Sequence, residues 1–361
     1  MKKLIFVTFC AAVILSITVI TGCKGKDTGS GLNQSLNNAD LISDGKGKDF
    51  GFGPIGFDLD TLVDRLGRDN VKKLRIGVSM ASLGTQWMDQ FAEEIQSLGR
   101  QYGFDVVVLS AESNEQKQAD DLKSFQSQQV DGILIYPHNP EALAQTMTEV
   151  HASGIPIVSC VAVDPAARIA GYVNVSQEAK GAMMADHVAK DAGGAERNIM
   201  VSDAGVVFPV LNDRLKGFED QLKKYPNLKI VEKRLAAGDA ASYLDVINEG
   251  LLANDTVDVV YATFAWPILG AYNAGKQLNR NLLIYGVDAD ESLLQLLAAG
   301  DMITGLHAQF AGANAYTTLF TLFRYLAGEQ IPYETWEADA YANLYASKEN
   351  AALVMSLLYG K

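Results

Sequence analysis

The sequence predicts an α/β protein built from two doubly wound parallel sheets, and three observations lead there. From Leu74 onward, short uninterrupted apolar runs alternate with longer amphipathic ones, the pattern of βαβ units whose strands are buried on both faces. About ten candidate strands exceed what one ordinary sheet holds, so two sheets are the natural partition. The 361 residues, 48% hydrophobic and 20% charged, have globular composition and length for about two domains.

The first series of strands is Arg75–Ser79, Asp105–Leu109, Gly132–Tyr136, Pro156–Cys160 and Gly171–Asn174. The second is Asn198–Ser202, Lys229–Lys233, Val257–Thr263, Leu282–Val287 and Ile303–Ala308. Helical periodicity falls between them at Trp87–Tyr102, Gln116–Gln128, Glu141–Ser153 and Asp213–Tyr225. Residues 59–72 are expected to form a short helix beneath the first strand. In such sheets ligands sit beyond the carboxyl ends of the strands, so the residues just after each strand are the ones to weigh.

Ahead of this body stands MKKLIFVTFCAAVILSITVITGC. Lys2 and Lys3 make a positive start, Leu4–Ile20 is a run of 17 uncharged, mostly apolar residues, and Ile20-Thr21-Gly22 lead to Cys23. That order is the layout of an export signal over residues 1–22. It resembles a bacterial lipobox, in which the cysteine thiol is acylated before cleavage. The resemblance implies a mature chain starting at Cys23 and held by a palmitate-type lipid, either on the outer face of the cytoplasmic membrane or in the periplasm. The competing reading is an uncleaved anchor, since 17 residues meet the lower limit of the roughly 17–25 that span a bilayer. Residues 24–57, rich in Gly, Ser, Asn, Asp and Lys, are expected to be a flexible tether, so residues 23–72 form tether plus short helix. Gly51–Gly56 spells GxGxxG but has neither a strand before it nor a helix after it.

Charge and cysteine content narrow the class further. Without residues 1–22 the chain loses two lysines and no acid, moving the formal charge from −13 to −15. Such a body repels phosphate backbones, which argues against a nucleic-acid partner. Cys10 leaves with the signal and Cys23 carries lipid, so Cys160 stands alone and stability must come from packed cores. Cys160 is expected to be a small buried hydrophobe.

Six blocks then carry a resemblance. KLRIGVSMASLGTQWMDQFAEEIQSLGRQYG, VDGILIYPHNPEALAQTMTEVHASGIPIVS, DRLKGFEDQLKKYP, VVYATF with LGAYNAGKQL, LLIYGVDADESLLQLLAAGDMITGLHAQ and SKENA occur in order over residues 73–361. Together they resemble the type I periplasmic sugar-binding proteins, closest to the ribose and simple-sugar subgroup. Repressor cores share that fold, but here a lipobox and tether stand where a repressor carries its DNA-binding helices. The resemblance implies two lobes joined by three crossings: 73–175 with 310–336, and 176–309 with 337–361. A small solute would be enclosed between them, and the closed form recognised by an ABC permease. A monomer without cofactor or metal is expected.

A sugar needs planar polar groups for its hydroxyls and an aromatic face for its C–H surface. The resemblance places Arg214, Asp288 and Gln309 in the polar role: a guanidinium that donates two bonds in one plane, a carboxylate accepting two hydroxyls, and an amide beside a lobe crossing. Each also has a plainer reading as a strand-end group satisfying loop amides. Trp87 offers a stacking face; Tyr136, Asn139 and Phe264 stand at positions where the family carries ligand contacts, with Trp266 beside Phe264. Departures are as informative. Gln86-Trp87-Met88 replace paired aromatics, Tyr136-Pro137 replace Asn-Pro, Cys160-Val161-Ala162 replace the segment ending in Asp-Arg, and Phe264-Ala265 replace Asn-Asp. Hydroxyl-binding groups have been exchanged for apolar surface, so the expected solute is less polar than ribose: a deoxy or methylated sugar, a nucleoside or another ring compound.

Enzymatic signatures are missing from the sequence. Gly270–Lys276 fits the first part of a phosphate-binding loop, but Gln277 stands where a hydroxyl is needed and the segment has helical periodicity. The four histidines show no metal-ligand spacing, and there is no GxSxG elbow. The competing class is sensory: the same anchored cleft could present its ligand, including a quorum-type signal, to a chemoreceptor or sensor kinase.

Overall fold

The computed structural model describes residues 58–205, 209–236, 240–336 and 344–359. The signal, Cys23, the tether and the GxGxxG stretch lie outside them. The chain begins with α1 (Leu59–Leu66), α2 (Arg68–Val71), β1 (Arg75–Met80), α3 (Gln86–Tyr102), β2 (Asp105–Ser110), α4 (Glu115–Ser127), β3 (Gly132–Tyr136), α5 (Pro140–Ala152), β4 (Ile157–Val161) and β5 (Gly171–Asn174). Next come α6 (Gln177–Ala192), β6 (Arg197–Asp203), α7 (Pro209–Leu222), β7 (Leu228–Leu235), α8 (Ala240–Ala253), β8 (Val259–Ala262), α9 (Ala265–Gln277), β9 (Leu283–Val287) and α10 (Glu291–Ala299). The last are β10 (Ile303–Ala308), α11 (Ala311–Leu326), β11 (Glu334–Trp336), β12 (Leu344–Ala346) and α12 (Ala351–Tyr359).

The strands form two six-stranded sheets, ordered β11-β5-β4-β3-β1-β2 and β12-β10-β9-β8-β6-β7. All pairings are parallel except β12 against β10. The two orders are the same doubly wound pattern repeated, and both sheets point their carboxyl ends to a crevice where the order switches. Central strands β3 and β4 are buried along their whole length, as strands covered by helices on both faces must be. Edge strand β7 alternates instead, and Lys229, Glu232, Lys233 and Arg234 blunt its open edge.

Helix ends follow local chemistry. Thr85 caps α3, whose far end is Gly103 in the left-handed region, and Ser176 caps α6. The single helix expected over 59–72 is split at Gly67, whose φ of +85° breaks the turn. The helix expected from Asp213 starts earlier, at Pro209, because proline's fixed φ suits a first helical turn. The three-residue strands β11 and β12 were not foreseen; each is too short to carry a periodic signal. In the first lobe α11 returns to the sheet, with Phe323 edge-on to Phe104 at 5.4 Å. In the second, Ala351 and Val354 of α12 join the core.

Candidate functional site

Three side chains contact that of Gln309, which follows β10. Arg214, only 5% exposed, donates from Nε to Gln177 Oε1 at 2.6 Å, from Nη1 to the Thr263 carbonyl at 2.9 Å and from Nη2 to Gln309 Oε1 at 3.1 Å. Lys180, 2% exposed, donates to the same Gln309 oxygen at 2.5 Å. The Gln309 amide nitrogen donates to Asp288 Oδ1, which lies 4.0 Å from Arg214 Nη1. Two cations on one end of the amide and a carboxylate on the other fix its orientation. Asp288 Oδ2 accepts from the Ala265 N–H at 3.1 Å, so it sits at the positive end of α9.

The sequence reaches this arrangement through backbone contact. Helix α6 carries Lys180 and α7 carries Arg214, and the two meet at glycines. A Cβ on Gly181 would lie 1.9 Å from the Arg214 carbonyl oxygen, and one on Gly217 2.0 Å from that of Glu178. Thr263 is itself fixed by donating to Asp203 Oδ1 at 2.5 Å, below the surface on β6.

The first lobe supplies aromatic groups. Trp87 stands edge-on to Tyr136 with ring centroids 5.4 Å apart, and stacks on Phe91 at 5.7 Å. The loop carrying Tyr136 is pinned from α4 by buried Gln118, which donates to the Tyr136 carbonyl at 2.8 Å and accepts from the His138 N–H at 2.8 Å. Burial pushes the Tyr136 phenol up, partly opposed by the Arg214 charge; Tyr136 thus feels a group on the opposite lobe.

The lobes touch across the crevice. Gln86 Oε1, on α3, accepts from the Glu291 N–H of α10 at 2.8 Å. One apolar cluster includes Tyr136, Cys160 and Val161 from the first lobe and Ala204, Val210 and Leu211 from the second, with Trp87, Ala162 and Phe264 packed on it. A cavity of about 10 Å³ remains, lined by Trp87, Gln90, Asp288, Ala289, Asp290, Gln309 and Tyr359. That is room for roughly one water, so a solute enters only when the lobes part. Asp290 is pushed up to about 7, by burial first and then by Asp288 and Asp89. A surface concavity of about 470 Å³ lies elsewhere, where Gly99, Gly103 and Asp105 meet, at the amino end of β2.

Arg214, Asp288 and Gln309 are therefore in contact, Trp87 and Tyr136 are in contact, and Phe264 lies between Tyr243 and Trp266, with centroids at 5.3 and 5.9 Å. Asn139 is engaged elsewhere: it caps α5 through the Ala142 N–H at 3.2 Å and donates to Glu115 at 3.3 Å. No hydrogen bond or ring contact joins it to the other six among the described residues. Sequence reasoning missed Gln177, Lys180, Gln90, Asp290 and Tyr359. Only Asp290, three residues past the end of β9, had a local signal.

The groups around the crevice can donate, accept and stack. Cys160 is buried and its thiol is pushed well up by desolvation, so it is no nucleophile. Among the described residues no group of His, Cys, Asp and Glu is placed to hold a metal ion, and no helix is long and apolar enough to cross a membrane.

Comparison with known proteins agrees with this geometry. The ribose import binding protein of Bacillus subtilis is 24% identical over 225 residues, 62% of this chain and 73% of that protein. A Mycobacterium smegmatis protein solved in complex with β-D-fucofuranose superposes with a TM-score of 0.71 at 22% identity, covering 79% of this chain and 97% of that one. The fructose-binding periplasmic domain of a hybrid two-component system gives 0.70 at 22% identity, covering 78% and 92%. The model of the periplasmic binding protein domain family matches residues 76–330, and the chain belongs to that family.

Proposed function

We propose that this chain captures a sugar or sugar-like ring compound between its lobes and delivers it to an ABC permease, without chemical conversion. The carrying observation is the contact of Arg214, Gln309 and Asp288 beside an aromatic-lined cavity. A carboxylate and a fixed amide suit ring hydroxyls, while Trp87 suits a C–H face. The apolar seam of Val161, Ala162, Val210, Leu211 and Phe264 supports a solute less hydroxylated than ribose. So does the likeness in fold to a protein solved with a deoxy sugar. Mass spectrometry of small molecules released from the purified full-length protein tests this. A deoxy or otherwise less polar ring compound is the expected finding; tightest binding of ribose or galactose counts against it.

The reading includes the rest of the envelope machinery. Lobe one comprises 73–175 with 310–336 and lobe two 176–309 with 337–361, supported by which sheet each strand joins. Cys23 bears the lipid, which raises the receptor's effective concentration at its permease. Labelled palmitate that is taken up equally by Cys23→Ala would exclude the anchor. The protein acts as a monomer and avoids nucleic acid, in keeping with its acidity. A second reading, presentation of the ligand to a sensor kinase, draws on the fructose-binding two-component domain that shares this fold. A permease and ATPase encoded beside the chain favour transport; a neighbouring sensor kinase favours signalling.

A further inference from the structure

Tyr359, on the last described helix, lies far along the chain from every strand end considered above. Yet it lines the crevice cavity with Trp87, Asp288 and Asp290. Its hydroxyl donates to the Ala289 carbonyl at 2.9 Å, which turns the phenol toward the segment bearing both aspartates. Its ring packs on the second lobe's core, whereas Trp87 packs on the first lobe's. Among the described residues no ring–ring pair joins the two, and they are the only aromatics lining the cavity. Burial and the nearby Asp290, Asp288 and Glu291 carboxylates all hold the Tyr359 phenol up, so it remains a neutral donor and an uncharged face.

Resting on the reading of this crevice as a sugar site, we propose that Tyr359 is a ligand-contacting residue that walls the site from the second lobe. A ring compound entering as the lobes part is held between Trp87 and Tyr359 on closure, while Asp288 and Asp290 accept from its polar edge. Helix α12 thereby sets specificity: it favours solutes with an apolar ring face toward the second lobe. The ring is the operative part of Tyr359; its hydroxyl serves to orient it.

The test is titration calorimetry of full-length protein with D-ribose, 2-deoxy-D-ribose, D-xylose and D-fucose. It compares wild type with Tyr359→Phe, Tyr359→Leu and Tyr359→Met, the last two filling similar volume without a ring. Each variant is first checked for a cooperative melting transition. For any probe that binds wild type, the Leu and Met variants are expected to weaken binding about 3- to 10-fold. Tyr359→Phe should stay within about 2-fold, as expected when only an orienting hydroxyl is lost. Unchanged affinity in the Leu or Met variant overturns the placement while leaving sugar capture intact. A Phe variant as weak as Leu overturns the role of the ring. If no probe binds wild type, sugar capture fails and the placement fails with it.

Discussion

Val161 and Asp288 occupy corresponding places in the two lobes: Val161 is the last residue of β4 and Asp288 directly follows β9, each the third strand of its sheet order, and each has a positive φ, 72° and 89°. At Val161 the Ala162 N–H donates back to the Cys160 carbonyl at 2.8 Å, closing a three-residue turn in its strained form. A β-branched residue there costs about 1–3 kcal/mol. Asp288 shares the geometry but aims a carboxylate at the cavity. Val161→Asp therefore places a second acceptor opposite the first, in a residue type that enters this region more readily. We expect the preference for D-ribose over 2-deoxy-D-ribose to rise about 10-fold, since a site built to bond a hydroxyl discriminates against its absence. An unchanged ratio of dissociation constants would show that Val161 does not face the solute.

Arg214 is predicted to be needed for both stability and binding. Replacing it with Met leaves Gln177 Oε1, the Thr263 carbonyl and Gln309 Oε1 without its donors, and Asp288 without its cation. Breaking such a buried arrangement on one side costs about 3–5 kcal/mol. Urea unfolding should show that loss. Arg214→Lys, which keeps the charge and drops the planar fork, should recover part of the stability and less of the affinity.

Two groups give the pH profile opposite slopes. Asp290 rises from 3.8 to about 7 in the folded protein; the folded state then binds the proton more tightly, so its contribution is complete below 3.8 and disappears as pH climbs to about 7. Asp288, Asp89, Glu291 and Tyr359 face it or stand beside it. His187 is lowered from 6.5 to about 4 by burial and Lys190, stacked on Tyr345 at 3.4 Å. Its contribution is complete above 6.5 and is lost as pH falls toward 4. The two therefore oppose each other between about 4 and 6.5. Asp290→Asn should remove the fall in melting temperature from pH 6 to 7.5, and a mutant profile identical to wild type would refute the assignment.

Much of this was legible in the chain, for identifiable reasons. Strands such as Gly132–Tyr136 are continuous apolar runs, and continuous burial is what a doubly covered parallel sheet requires. Asp288 and Gln309 could be named because the resemblance marks them, and both directly follow strands. Lys180 and Tyr359 could not: one sits a turn inside a helix and the other at the end of one, where periodicity speaks only of a buried face. Asn139 has a second role that its position also signals: a residue following a strand can equally be the cap of the next helix, and Pro140 behind it is the usual sign of that role. The partnership of Gln118 with Tyr136, 18 residues away, has no local signature at all.

Closure of the lobes should depend on Gln86. Its side chain accepts from the Glu291 N–H across the crevice at 2.8 Å, satisfying an orphan donor at the start of α10. Gln86→Ala removes about 1 kcal/mol of net stabilisation from the closed form alone, shifting an open–closed equilibrium about 5-fold. Small-angle scattering should report a larger mean radius of gyration. Identical curves for mutant and wild type would mean that this bond does not hold the lobes together.

Gly181 sets the position of Arg214 without touching the crevice. A methyl group there would meet the Arg214 carbonyl oxygen at 1.9 Å, a backbone atom that no rotamer change can move aside. Helices α6 and α7 must separate to admit it, carrying Lys180 and Arg214 away from Gln309 together. Overpacking of this kind costs about 1–3 kcal/mol. Gly181→Ala should therefore lower the melting temperature and weaken solute binding at once, whereas Lys190→Ala, on the exposed face of the same helix, should leave binding unchanged. If Gly181→Ala loses stability but binds as wild type, the glycine contact serves packing only, and Arg214 keeps its place by other means.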